Sequence, residues 1–305
     1  MNDLILVGLA GFFASMVDGA LGMGFGPTSS SILLSSGISP LAASTTVNIA
    51  KIATGLAAGV SHWRLGNIDR RLVLKLAGPG AIGAIVGATV LVNVDAKDIR
   101  PLLAVLLILV GVRILFRFSQ ALPKNRDSAV DARSESVAPD FDDRGVVVAA
   151  GVGGITNGLV GAWGPVVTPY LLHRGLPPRY AIGSVNTAEV AVAVVATGSL
   201  VGASGREGLQ FGIVAAMLLG GVIAAPLAAY VIRFLPPRIL GLAVSGLLLM
   251  TQSREIANSQ ELPGNRWLAY VSIPVLVVLA AFRPRIQRAR RRRILAKVSA
   301  ELSAR

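Results

Sequence analysis

The chain has 305 residues, 53% of them hydrophobic and only 15% charged, with a formal net charge of +13 and no cysteine. A soluble domain carries about 25% charged residues, so most of this surface is not wet. The absence of cysteine excludes disulfides, thiolate chemistry and cysteine-held metals.

Apolar runs of about 20 residues recur, the length a helix needs to cross a bilayer. No strand-like alternation accompanies them, and only helices or closed barrels satisfy their backbone in lipid. The class is therefore all-α and polytopic. No basic stretch precedes the first apolar run, so a cleaved signal peptide is not expected.

Full-length apolar segments are predicted at 41–63, 72–93, 99–118, 180–202, 209–232, 238–252 and 267–282. Two further runs, 4–38 and 145–175, are broken. As one straight helix, 4–38 would extend about 50 Å, too long for a hydrocarbon core of about 30 Å. Gly19, Gly22, Gly24, Gly26 and Pro27 interrupt it; Gly158, Gly161, Gly164 and Pro165 interrupt its partner. Arms of about 11 to 15 residues are too short to cross alone, so both runs read as re-entrant hairpins or broken helices.

The two broken runs belong to a duplication at a fixed offset of 138 residues. Gly26-Pro27 returns as Gly164-Pro165, Leu33-Leu34 as Leu171-Leu172, Val47-Asn48 as Val185-Asn186, Gly83 as Gly221 and Arg100 as Arg238. Duplicated membrane domains with glycine-broken segments at matching places are a layout of secondary transporters.

The distribution of basic residues orients the chain. If each hairpin enters and leaves on one side, then 64–75, 119–144, 173–179, 233–238 and the C-terminal tail share a face. That face carries Arg64, Arg70, Arg71, Lys75, Arg174, Arg179, Arg233, Arg238 and the run from Arg283 to Lys297. If each hairpin crossed as one span, loop 64–75 and the tail would lie on opposite faces, against the positive-inside rule. The hairpin arrangement puts the N-terminus outside and the C-terminus inside, with an odd number of crossings per repeat, so the repeats are inverted. Five regions follow: a first repeat at 1–118, a cytosolic linker at 119–144, a second repeat at 145–252, an extra transmembrane helix with its loop at 253–283, and a basic cytosolic tail at 284–305.

Charges inside the membrane are the strongest functional signal, since each costs about 2.5–3.5 kcal/mol at the bilayer centre. Lys51 and Glu189 lie mid-segment and 138 residues apart, so an inverted repeat brings them toward its axis. They read either as a structural pair or as a substrate and proton site. Asn48 and Asn186 sit about one turn earlier, as ligand contacts or as interhelical glue; Thr46 and Ser184 read as glue. The arms that follow each glycine break start inside the membrane with proline in the first turn. Their free amides carry partial positive charge and suit an anion, which nominates Gly24, Gly26, Thr28, Gly161 and Gly164 beside Lys51. Asp18, before the first break, reads as a cap or as a second proton-coupling carboxylate with Glu189. His62 and Trp63 read as interfacial.

Enzyme signatures are poor. The turn Gly202-Ala203-Ser204-Gly205 has no later histidine to serve it, HExxH is missing, and there is no phosphate-binding GxxxxGK[ST]. No enzyme and no cofactor are expected.

The stretches GALGMGFGP, SGISPLAAS, ASTTVNIAK and SHWRLGNIDRRL resemble the first half of the sulfite exporter TauE/SafE family, and GAWGPVVTPYLL, GLPPRYAIGSVNTAE and FLPPRILG resemble its second repeat. The resemblance covers nearly all of 4–252. It implies a bacterial inner-membrane transporter of sulfite, sulfonates or other small sulfur and organic anions. By position it matches the family's glycine loops and helix polar residues at Gly22, Gly24, Gly26, Asn48, Gly161, Gly164 and Asn186; Lys51 and Glu189 rest on the charge argument alone. The expected function is proton-coupled, alternating-access transport of a small anion. The rival readings are an anion channel, an intramembrane enzyme and a non-catalytic membrane scaffold. Expected partners are the anion, the bilayer, anionic lipid at the basic tail rather than nucleic acid, and a second copy in a homo-oligomer.

Reporter fusions test the topology. Fusions at 128–138 and at the C-terminus are expected to read cytosolic and one at residue 2 external; a cytosolic N-terminus together with a cytosolic C-terminus overturns the two-hairpin arrangement.

Overall fold

The computed structural model describes residues 2–21, 23–120, 141–205, 209–231, 237–259, 271–280 and 282. Gly22, most of the linker, the loop after Ser259 and the basic tail therefore lie outside the described residues. Among those described the chain is all helix, with no strand. The elements are α1 (Asn2–Leu21), α2 (Phe25–Ser35), α3 (Pro40–Arg64), α4 (Arg70–Asn93), α5 (Ala96–Ser119), α6 (Val146–Val160), α7 (Gly164–His173), α8 (Pro178–Ser204), α9 (Phe211–Val231), α10 (Pro237–Ser259) and α11 (Val271–Ala280).

Both broken runs are helix–break–helix units. The first break holds Gly24 at φ 130°, the second Gly161 at φ 67°, backbone conformations open chiefly to glycine. The arms are less equal than expected. α2, α6 and α7 have 11, 15 and 10 residues, but α1 has 20, about 30 Å of helix. α10 also runs seven residues past the expected Gln252, through a polar turn that hydropathy does not read as helix. Elsewhere local chemistry sets the ends: the Ser39 hydroxyl accepts from Ala42 N at 3.2 Å, and the Asp69 carboxylate from Arg71 N and Leu72 N at 2.9 and 3.2 Å.

Glycine governs how the helices meet. α4 runs beside α6 in the same direction: a methyl group on Gly83 would overlap the carbonyl of Gly151, and one on Gly154 that of Gly80. α9 runs beside α1 in the same way, with Gly220 against the carbonyl of Gly8 and Gly11 against that of Met217. Small residues allow this approach where lipid supplies no hydrophobic drive between helices. α3 packs on α8, and α5 on α10. Large apolar side chains such as Leu74, Ile82, Leu109, Phe211 and Val222 stay exposed, which suits contact with lipid. By length and composition α4, α5 and α8 are long and apolar enough to cross a membrane.

Polar contacts sort the helix ends into two groups. At one end, Arg100 pairs with Glu255 at 3.2 Å and donates to the carbonyls of Gly37 and Ile38. Near it, Leu4, Leu6, residues 36–39, Gln210 and Ile213 line one hollow, so the start of α1 and the end of α2 share an end. At the other end Lys75 pairs with Asp143, Arg174 with Asp142 at 2.6 Å, and the Tyr170 hydroxyl donates to the Arg144 carbonyl. The end of α7 thus returns to the start of α6. Hydrogen bonding from the Arg144 amide, aided by Arg174, holds the Asp142 carboxyl below the usual carboxylate range. Arg238, at a position equivalent to Arg100, donates to the carbonyls of Phe118 and Ala280.

Two glycines of one helix give the packing test. Nothing lies near a methyl group added to Gly78, whereas one on Gly83 meets backbone. Gly83→Ala is expected to lower the unfolding free energy in detergent by about 1–3 kcal/mol, as overpacking does. Gly78→Ala is expected to be neutral or slightly stabilising. Equal thermal melts for the two variants would remove the close α4–α6 approach.

Candidate substrate site

The two breaks face each other across a small polar cavity. Asp18 and residues 23–27 line it from the first half, with Lys51 and Thr54 from α3; Gly161, Gly164 and Pro165 line it from the second break, with Asn186 and Glu189 from α8. Its free space is about 10 Å³, room for about one water molecule. The breaks touch: a methyl group on Gly26 would overlap the carbonyl of Gly161, and one on Gly164 would come within 3.3 Å of Met23 Cβ. The two contacts exchange under the 138-residue offset.

Lys51 is 3% exposed. Its ammonium donates to Asn157 Oδ1 at 2.6 Å and to the Gly161 carbonyl at 2.7 Å, and it forms an ion pair with Glu189. An ammonium has three protons, and here three acceptors meet them. Glu189 keeps 14% of its side chain exposed and faces the cavity. The Asp18 carboxylate also lines the cavity and accepts from Phe25 N at 3.3 Å. Asp18 thus accepts a backbone amide at the start of α2 and also faces the cavity.

Asn157 escaped the sequence reading. It sits in the last turn of α6, completely buried, and links Lys51 to Asn48. Its amide donates to Asn48 Oδ1 at 2.7 Å, and the Asn48 amide donates to the Asn157 carbonyl at 3.3 Å and to Ser44 O at 3.0 Å. The repeat comparison hid Asn157, because Gly19 stands at the equivalent position. The available signal was an asparagine inside the apolar run VVVAAGVGGITNGLV, directly before a break.

The other nominated residues divide. Gly24, Gly26, Gly161, Gly164 and Asn186 line the cavity with Lys51, Asp18 and Glu189. The Asn186 side chain makes no hydrogen bond among the described residues. Asn48 and Thr28 are buried but off the cavity wall. Asn48 is consumed by Asn157, while the Thr28 hydroxyl has no partner among the described residues. Gly161 contributes the opposite polarity from that expected: its amide donates to Asn157 O at 2.8 Å, and its carbonyl meets the ammonium. The prolines lie in the first turn of each arm, though α2 starts at Phe25 and α7 at Gly164, so neither proline is the first helical residue. Of the hydroxyls read as glue, Ser184 accepts from Asp69 N at 3.0 Å, and Thr46 is buried without a partner among the described residues. A larger hollow of about 570 Å³ beside Trp63 has an almost wholly apolar lining, including Leu56, Val60 and Leu74, and offers an anion little.

With every group ionised, the cavity wall carries one ammonium and two carboxylates. That net negative charge attracts protons and cations and repels an anion while both carboxylates stay ionised.

The family model described as "Sulfite exporter TauE/SafE" matches residues 7–254. The chain is 36% identical over 285 residues to a protein of Bacillus subtilis (strain 168) described as "Probable membrane transporter protein YtnM", an alignment covering 92% of this chain and 89% of that protein. No solved structure matches. A helical membrane protein with two glycine-broken units closing on a buried polar cavity, matched by this family along most of its length, belongs to the TauE/SafE family of membrane transporters.

Proposed function

We propose that this transporter carries a small anion, sulfite, an organosulfonate or a related sulfur oxyanion, together with protons, by alternating access around the cavity between the two breaks. The observation that carries this reading is the convergence of Lys51, Asp18, Glu189 and Asn186 on one closed space. An anion entering a low-dielectric cavity beside two ionised carboxylates is repelled. Protonation removes that repulsion, since like charges at close range disfavour ionisation. Glu189 then releases Lys51, which turns its ammonium to the anion, and Asp18 is the second proton acceptor. The family description names sulfite, and the relative is described as a probable membrane transporter.

The moving parts in this reading are two inverted repeats, 1–118 and 145–252, joined by a linker at 119–144 and followed by an extra helix at 253–283 and a basic tail at 284–305. The exchanged contacts Gly26–Gly161 and Gly164–Met23 support it, as do the equivalent pairs α4–α6 and α1–α9. Rocking one repeat on the other opens the cavity to each side in turn. The basic end faces the cytoplasm of a bacterial cell, with the N-terminus outside and the tail on anionic lipid.

One observation favours a second reading, in which Lys51 is a brace: all three of its protons are already met. Melting temperature and uptake of labelled sulfite into proteoliposomes separate the two. Lys51→Met strands Glu189 and is expected to cost about 3–5 kcal/mol, as breaking a buried pair does. The double variant Lys51→Met, Glu189→Met is expected to regain part of that loss, the acceptors on Asn157 and Gly161 remaining unmet. If the pair is the site, the double variant folds without transporting, and Glu189→Gln binds sulfite but no longer accumulates it on a pH gradient. A double variant with normal, pH-driven uptake makes the pair a brace. Conductive uptake that ignores the pH gradient makes the protein a channel.

A further inference from the structure

The two inner arms occupy equivalent places but differ in chemistry. Residues 28–31 of α2 read Thr-Ser-Ser-Ser, while their counterparts 166–169 in α7 read Val-Val-Thr-Pro. Packing alone does not require so many hydroxyls, since the second arm fills two of the four places with valine and one with proline; its single hydroxyl, Thr168, is likewise buried without a partner among the described residues. Nor does hydrogen bonding account for all of them. Ser30 donates to the Val160 carbonyl at 2.7 Å, but the hydroxyls of Thr28 and Ser29 have no partner among the described residues, although these residues are 1% and 0% exposed. Thr45 and Thr46, in the second turn of α3, are equally buried and equally unpartnered.

These groups lie between the cavity and one end of the molecule. α2 starts at the cavity with Phe25, Gly26 and Pro27 and ends beside the hollow of about 490 Å³ lined by Ser36, Gly37, Ile38 and Ser39. α3 starts at that hollow and reaches the cavity at Lys51. Midway, Ser31 meets Thr251 at 2.6 Å and the Gln252 amide at 2.7 Å, and the buried Gln252 Oε1 has no partner among the described residues. At the end itself Arg100 joins Glu255 to the carbonyls of Gly37 and Ile38. Its guanidinium ties the 36–39 loop and the start of α5 to the C-terminal part of α10.

We propose that the half of the substrate path leading from the cavity to this end runs along the hydroxyls of α2 and the second turn of α3, and that the Arg100–Glu255 pair latches its mouth. This rests on the transporter reading. Buried hydroxyls without partners are costly in a closed protein and useful in an opened one, where they meet water or donate to the oxygens of a small oxyanion. The end at 36–39 opens when Arg100 releases Glu255. The mouth hollow then joins the cavity.

The cysteine-free chain permits a direct test. Single cysteines replace Ser29 and Thr45, near-isosteric changes, and Leu33, a buried apolar neighbour on α2. Lys97→Cys, exposed near Arg100, identifies the side from which that end is reached. A membrane-impermeant methanethiosulfonate reagent is added to each side of proteoliposomes. The expected result is that Ser29→Cys and Thr45→Cys react at least about tenfold faster than Leu33→Cys from the Lys97 side, and that Glu255→Gln speeds both further. Rates equal to that of Leu33→Cys, or reaction only from the opposite side, overturn the path. Reaction that Glu255→Gln leaves unchanged overturns the latch. Sulfite uptake, measured on the same vesicles, reports separately on the transporter reading: labelling without uptake leaves the path and removes the substrate, and uptake without labelling does the reverse.

Discussion

A single ammonium group in a dry place constrains the middle of this protein. Lys51 cannot stay charged inside a bilayer without partners, and no residue near it in sequence supplies them. Its acceptors come from α6, from the break after α6, and from α8. Three separate pieces of the second half must therefore converge on one side chain of the first. The Asn157–Asn48 pair fixes the approach by holding α6 against α3 in one register. A slide of α6 by one residue would turn the Asn157 side chain through about 100° and away from both partners.

Glycine makes this convergence sterically possible. The Gly161 carbonyl reaches Lys51 because Gly26 has no side chain to hold the breaks apart. The left-handed conformation at Gly161 turns the chain within one residue and aims that carbonyl inward. The same economy of volume operates along α4–α6 and α1–α9, where backbone lies on backbone. Electrostatics and packing here are one constraint: a wider spacing would leave the ammonium short of an acceptor, and an unpaired ammonium would destabilise the narrow spacing.

Much of this arrangement was legible in the sequence, and the illegible parts have identifiable causes. Lys51 and Glu189 stand out in the sequence as mid-segment charges at the repeat offset, and the two breaks as clustered glycines before a proline. α1 outran its expected length because hydropathy and glycine content do not say which glycine ends a helix; Gly19 sits inside it, and α1 runs on to Leu21. α10 outran its segment because the polar stretch from Ser253 to Ser259 is helical without being apolar, with Glu255 held by Arg100. Asn157 was hidden because a repeat comparison reveals shared residues and passes over those present in one copy. The polarity of Gly161 was hidden for another reason: a residue's name does not say whether its amide or its carbonyl turns inward.

These misses share a pattern that bears on how a duplicated protein acquires a function. Perfect symmetry about the axis would place like against like, lysine against lysine or glutamate against glutamate, and in low dielectric neither pair is stable. The halves differ at the positions where identity would be repulsive or idle. Lys51 stands against Glu189, Asp18 has Thr156 as its counterpart, Asn157 has Gly19, and the hydroxyls of 28–31 have Val-Val-Thr-Pro. The shared residues, glycine and proline above all, build two similar frames that close on each other. The unshared residues give the enclosed space its charge, one ammonium beside two carboxylates, and line one arm with hydroxyls. In the transport mechanism proposed above, a frame that stays symmetric while its contents diverge rocks between two similar shapes and still treats the two sides of a membrane differently.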